Sequence, residues 1–135
     1  MSKERIKALA EFLEIKEDEI EVTRHNENTF DAEGSEYMVL TDDEADQRAA
    51  DGIRDSVWAF NTSFLVGHMP DGVDEEILKI AQEKCEGANE TLKAMIVDLD
   101  HFVDDAIASD GRAHFLNTYD GEEHEQGDYF IYRTN

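Results

Sequence analysis

Basic residues are what this chain has least of for its size. Twelve Lys+Arg stand against 34 Asp+Glu, a formal net charge of −22 in 135 residues. Proteins that bind nucleic acid or anionic membranes draw affinity from Lys and Arg, so the balance argues against direct contact with either. A single cysteine excludes an intrachain disulfide and fits a reducing, cytosolic compartment. One proline and no Ser/Gly-rich stretch leave nothing to divide the chain, so one acidic domain over 1–135 is expected. No apolar run nears the roughly 20 residues of a membrane span. Met1-Ser2-Lys3-Glu4-Arg5 runs straight into mixed charge, with no signal-peptide pattern. The expectation is a soluble, intracellular protein.

Catalytic signatures are missing as well. There is no G-x-x-x-x-G-K-[ST] phosphate loop, no G-x-G-x-x-G after a strand and no G-x-S-x-G elbow. The five histidines (His25, His68, His101, His114 and His124) show no H-E-x-x-H spacing. No catalytic residue, metal ligand or cofactor is assigned, and the chain is read as a non-enzyme. The best metal-like alternative is Asp98, Asp100, His101 and His114, since carboxylates and imidazoles together suit a divalent ion. The segment Asp120–Glu125 is rich in oxygen ligands but lacks the layout of an EF-hand loop.

What is present is a core. Hydrophobic residues make up 40% of the chain, too many for a disordered acidic tail. Ile6, Leu9, Ala10 and Leu13 share one face of a helix from Ser2 to about Ile15. Glu17 to Glu21 reads as an acidic turn or a short helix. Thr29–Ala32 and Glu36–Leu40 flank Gly34 as a hairpin, and Tyr129–Tyr132 reads as a third strand. Thr41-Asp42-Asp43-Glu44 is a capping-box pattern. Ala45, Ala49, Ile53, Val57, Phe60 and Phe64 continue it as an apolar stripe. A second stripe (Ile77, Ala81, Cys85, Ala88, Leu92, then on to Phe102 and Ala106) ends at Asp110-Gly111. The expected class is α+β. A helical core (an N-terminal helix, a helix about 42–66, a long or broken helix about 74–109) carries a small antiparallel sheet from 21–40 and 128–133. Cys85 is read as a buried, inert thiol on the second stripe. Trp58, Tyr119, Tyr129 and Tyr132 are read as core.

The acids fall in long runs with few partners. Glu17–Asp46 holds 12 acids and one base, Arg24; Asp98–Asp128 holds 10 and one base, Arg112. Asp42, Asp43, Asp46, Asp51 and Asp55 fall on one predicted helix, and Asp98, Asp104 and Asp105 on another. Carboxylates four residues apart on a helix stand about 6 Å apart. Duplex DNA places two charges per ~3.4 Å of axis, a loosely comparable density. A value of −22 exceeds the net charge that solubility alone asks of a small domain, about 2–8. These eight aspartates are therefore the candidate partner-binding residues. Arg112 and Arg133 stand out as isolated bases that neutralise their neighbours or orient the acidic surface.

Four strings resemble small acidic proteins encoded by tailed bacteriophages. They are Glu36-Tyr37-Met38-Val39-Leu40-Thr41-Asp42, Ser56-Val57-Trp58-Ala59-Phe60-Asn61, Asp110-Gly111-Arg112-Ala113-His114-Phe115-Leu116 with Tyr119-Asp120-Gly121-Glu122, and Tyr129-Phe130-Ile131-Tyr132-Arg133. The resemblance covers roughly 36–135 and implies a phage origin, with no catalytic residues to carry over. In size and charge the chain also resembles phage DNA mimics that block restriction enzymes or CRISPR effectors. That likeness implies an inhibitor in the bacterial host cytoplasm, whose partner is a basic nucleic-acid-binding protein of the host. A homodimer would extend its acidic surface. The alternatives are the metal-dependent enzyme above and a salt-adapted acidic domain with no mimicry.

Overall fold

The computed structural model describes residues 2–23 and 27–135. Arg24 and His25 lie outside the described residues. In chain order the elements are α1 (Ser2–Leu13), β1 (Ile20–Val22), β2 (Thr29–Ala32), β3 (Ser35–Leu40), α2 (Asp42–Asp55), α3 (Thr62–Val66) and α4 (Glu75–Gln82), then α5 (Asn89–Met95), α6 (Leu99–Asp110), α7 (Arg112–Leu116), β4 (His124–Gln126) and β5 (Tyr129–Arg133). Short 3-10 turns sit at Glu17–Glu19, Val57–Ala59 and Cys85–Ala88. The protein is α+β, as expected. Among the described residues no helix is long and apolar enough to cross a membrane. The chain divides into two compact units: Met1–Ala49 with Asp110–Asn135, and Ala50–Ser109.

The first unit holds all five strands in the order β1-β2-β3-β5-β4, every pair antiparallel. Residues Ala32 and Ser35 pair across a two-residue loop in which both Glu33 (φ 53) and Gly34 (φ 80) are left-handed. That matches a type I′ hairpin turn. The C-terminal strand joins the hairpin with Val39 opposite Ile131. Strand β1 (Ile20–Val22) opens the expected 21–40 segment, whereas β4 lies outside the expected sheet. The signal for β4 was Gly127-Asp128, which joins Gln126 to Tyr129 as a tight hairpin. Leu9, Phe30, Val39 and Ile131 are almost fully buried and build the core between α1 and the sheet. Arg5 is buried too, although it lies one position off the apolar stripe. It donates to the Val39 carbonyl (2.8 Å) and grips Glu44 with both guanidinium nitrogens (2.6 and 2.9 Å). The capping box forms: Glu44 N–H donates to Thr41 Oγ1, and Thr41 N–H donates to Glu44 Oε1.

The second unit corrects the expected helix of about 42–66. Helix α2 stops at Asp55, and a 3-10 turn and the short α3 replace about its last three turns. The buried carboxamide of Asn89 takes over the broken backbone pairing. Its Nδ2 donates to the Arg54 carbonyl (2.8 Å), and its Oδ1 accepts from Trp58 N–H (3.2 Å). The expected 74–109 helix is broken at 83–88 and again at 96–98, giving α4, α5 and α6. Cys85 takes a positive φ of 52 and is exposed, so it is not a core thiol. The break also resets the phase of the stripe. On α4 it is Leu78 that is buried, and Ile77 is half exposed. After the break, Ala88, Leu92, Phe102 and Ala106 are buried as expected. Phe60, Phe64, Phe102 and His68 form a cluster of rings, with centroids 5.1–5.7 Å apart.

Candidate acidic surface

Negative charge belongs to both units. Residues 50–109 carry thirteen carboxylates against four bases, and the remainder twenty-one against eight. Capping and helix formation set the carboxylates of α2. The first turn begins with Asp42, Asp43 and Glu44, where negative charge complements the helix dipole. Ala45, Ala49 and Ile53 bury the opposite stripe, so Asp42, Asp43, Asp46, Asp51 and Asp55 all remain exposed. They do not form one row. Asp42 and Asp46 are one turn apart, as are Asp51 and Asp55. The five-residue step between the pairs turns the second about 140° around the helix.

In the first unit the cationic centre is Arg112, at the start of α7 after Gly111 (φ 80). Its Nη1 lies 2.7 Å from Asp42 Oδ1 and 2.8 Å from Asp46 Oδ1, and its Nε donates to Glu123 Oε1 at 2.7 Å. The guanidinium also stacks 4.7 Å above the Phe130 ring. Glu123 in turn accepts a short hydrogen bond from the Tyr132 hydroxyl. Burial alone would lower the guanidinium pKa, but the hydrogen bonds to Glu123, Asp46 and Asp42 outweigh it and raise it. Burial raises Glu123, and the bonds from Arg112 and Tyr132 more than reverse that, leaving it below the usual carboxylate value. The Tyr132 phenol is pushed up by burial and by the Glu123 carboxylate. Three carboxylates are thus fixed by one cation, and the group keeps an excess of two negative charges. Asp43 has no ion-pair partner among the described residues.

The second unit repeats the device with Arg54. Its Nη2 donates to Asp100 Oδ1 at 2.8 Å and its Nη1 lies 3.9 Å from Asp51. Arg54 therefore gathers carboxylates from α2 and α6. Asp55 and Asp104 are exposed beside them in sequence, with no ion-pair partner among the described residues. Asp98 precedes α6 and accepts from His101 N–H (3.1 Å), so it serves as a helix cap. Asp105 departs from the expected open face. It pairs with His68 Nε2 at 2.9 Å and is half buried.

No known protein family, curated protein or solved structure matches this chain.

The metal-like alternative finds its residues otherwise engaged. Asp98 caps α6, Asp100 binds Arg54, and His114 packs edge-on against Phe115 in the other unit. Among the described residues, the cluster whose ligand atoms all lie within 4.8 Å is instead Asp120, Glu122 and His124. The buried Asn117 shapes that loop. Its Oδ1 accepts from Tyr119 and Asp120 N–H, and its Nδ2 donates to the Glu122 carbonyl. Asp120 Oδ1 is already taken by Glu122 N–H. Two carboxylates and one imidazole at the surface fall short of the six to eight oxygens Ca²⁺ prefers.

Sequence reasoning missed Arg54, Asp100 and Glu123 as parts of the acidic surface, and the buried Tyr132 hydroxyl that supports Glu123. Arg112 stands alone in its acidic run, whereas Arg54 shares the acidic stretch 42–76 with Arg48 and gives no such signal. Tyr132 is core, as expected, and Tyr129 is half buried. Tyr119 is 55% exposed and carries the Arg133 guanidinium 3.6 Å above its ring.

Proposed function

We propose that the chain is a DNA-mimic inhibitor that occupies the basic nucleic-acid-binding cleft of another protein. The observation that carries this reading is the pair of arginine-centred carboxylate groups. Arg112 holds Asp42, Asp46 and Glu123, and Arg54 holds Asp100 with Asp51 3.9 Å away. Ordinary solvated acids are free to turn. Acids tied down in advance lose less conformational freedom when a partner binds them. Each group also keeps surplus negative charge and has as sequence neighbours aspartates with no ion-pair partner among the described residues, Asp43 in one case and Asp55 and Asp104 in the other. Such a surface attracts Lys/Arg-lined clefts at long range, with fast and salt-sensitive association.

The proposed target is a host defence protein, a CRISPR effector or a restriction enzyme, met in the bacterial cytoplasm; the resemblance of the four strings to acidic phage proteins supports this choice. The test is charge reversal. Asp42, Asp43 and Asp46 changed to Lys, and separately Asp51, Asp55 and Asp104 changed to Lys, should each weaken binding to such an effector about tenfold or more. Their circular dichroism spectra should match the parent. Undiminished inhibition by a folded variant carrying both sets would overturn the proposal.

A further inference from the structure

Two of the large apolar side chains left most open to solvent sit on one helix. On α4, Ile77 is 50% and Ile80 62% exposed, while Leu78 on the other side is fully buried. Asp74 caps the helix by accepting Ile77 N–H at 2.9 Å, which fixes the orientation of this first turn. Glu76 lies one turn before Ile80, and Lys84 one turn after it. Glu83 keeps helical backbone angles, so Lys84 continues the same side of the helix.

We propose that this face of α4 is a self-association surface, covered by α4 of a second copy of the chain running antiparallel to it. The charge pattern selects that occupant. With a two-fold axis at Ile80, the two Ile80 side chains meet, and each Ile77 lies opposite position 83 of the second copy. Each Glu76 then faces Lys84 of the second copy, so one pair of residues forms two ion pairs. A two-fold contact must be self-complementary in this way. The stretch 76–84 also carries two lysines against two glutamates and is neutral, within a chain of net charge −22. Two copies repel each other less there than along the acidic runs. A single eight-residue helix spans about 12 Å. The contact therefore falls below the ~1,200 Å² of a stable interface, and the dimer is weak and concentration-dependent.

This inference does not rest on the mimic reading, and its salt dependence runs the other way. Exposed ion pairs contribute little, whereas two bodies of charge −22 repel strongly until salt screens them. Self-association should strengthen between about 0.05 and 0.5 M NaCl, the range over which binding of a basic target weakens. The experiment is sedimentation equilibrium of the full chain up to about 1 mM, the range where contacts of this size act. The parent should dimerise, and Ile80→Asp and Ile77→Asp should each weaken the dimer about tenfold or more, about 1.4 kcal/mol. Lys84→Glu should weaken it as well, and adding Glu76→Lys should restore it. In a Cys85→Ser background, Ile80→Cys should form a disulfide-linked dimer on oxidation. A parent that stays monomeric at both salt concentrations overturns the proposal. So does an Ile80→Asp chain that dimerises like the parent, or an Ile80→Cys chain that does not cross-link.

Discussion

Arg54 Nη2 stands 2.8 Å from Asp100 Oδ1, a bond that ties the last turn of α2 to the first turn of α6. With Arg112 in the other unit, it shows how so acidic a chain arranges its few cations. These two arginines stand among carboxylates that would otherwise repel one another. The two groups differ in burial, and the difference sets the first prediction. The Arg112 side chain is 14% exposed and that of Arg54 31%. Arg112→Gln should cost about 1–3 kcal/mol, because it removes a largely buried cation that holds three carboxylates. Arg54→Gln should cost under about 1 kcal/mol, as exposed pairs do. Urea denaturation of both variants checks the order.

The Arg5–Glu44 pair makes part of the stability depend on pH. The hydrogen bond from Arg5 is the largest influence on Glu44 and holds its carboxyl below the ordinary 4.5. A carboxyl depressed in the folded state binds protons more readily when unfolded. Its contribution is therefore complete above about 4.5 and is lost as pH falls through the folded value. The stability gap between the parent and Glu44→Gln should be constant near neutrality and shrink below pH 4.5. Denaturation of both chains across acid pH measures it. A gap that does not change would show that the pair does not titrate in this way.

Asn89 should be among the most sensitive polar residues. Asn89→Ala leaves the Arg54 carbonyl and the Trp58 N–H without their side-chain partner in a partly buried setting. The expected loss is about 2–4 kcal/mol, from two unsatisfied groups at ~1–3 each, less what water recovers. Thermal unfolding reads it directly.

Glu33 is a residue that can be improved. Its left-handed φ of 53 suits Asn or Gly at the first position of a type I′ turn. Glu33→Asn should stabilise the chain by about 0.5–1 kcal/mol, since a non-glycine residue with an ordinary side chain is strained there. A higher midpoint in urea is the expected result.

The α+β class, the hairpin around Gly34, the C-terminal strand and the Thr41–Glu44 capping box could all be read from local pattern. Each depends on residues within a few positions of one another. The breaks could not, because they depend on distant partners. Helix α2 ends at Asp55 because Asn89, 34 residues on from it, satisfies its backbone. The left-handed Cys85 uncouples the stripe before it from the stripe after it, and Ile77 moved from core to surface for that reason. The candidate aspartates were found as a set, and all but Asp105 stand open as expected. Their grouping was hidden, because Arg112 meets Asp46 across 66 positions and Arg54 meets Asp100 across 46. A buried Arg5 was equally hidden, since a charge beside an apolar stripe reads as solvent-facing until its carboxylate partner is placed.

The most direct measurement is a pull-down of bacterial effectors with the tagged chain, repeated with excess duplex DNA and with the chain carrying both sets of reversed aspartates. Mimicry predicts a nucleic-acid-binding protein that the parent captures, that DNA displaces and that the reversed chain fails to capture. A partner held equally well in the presence of DNA, or captured equally by the reversed chain, would contradict it.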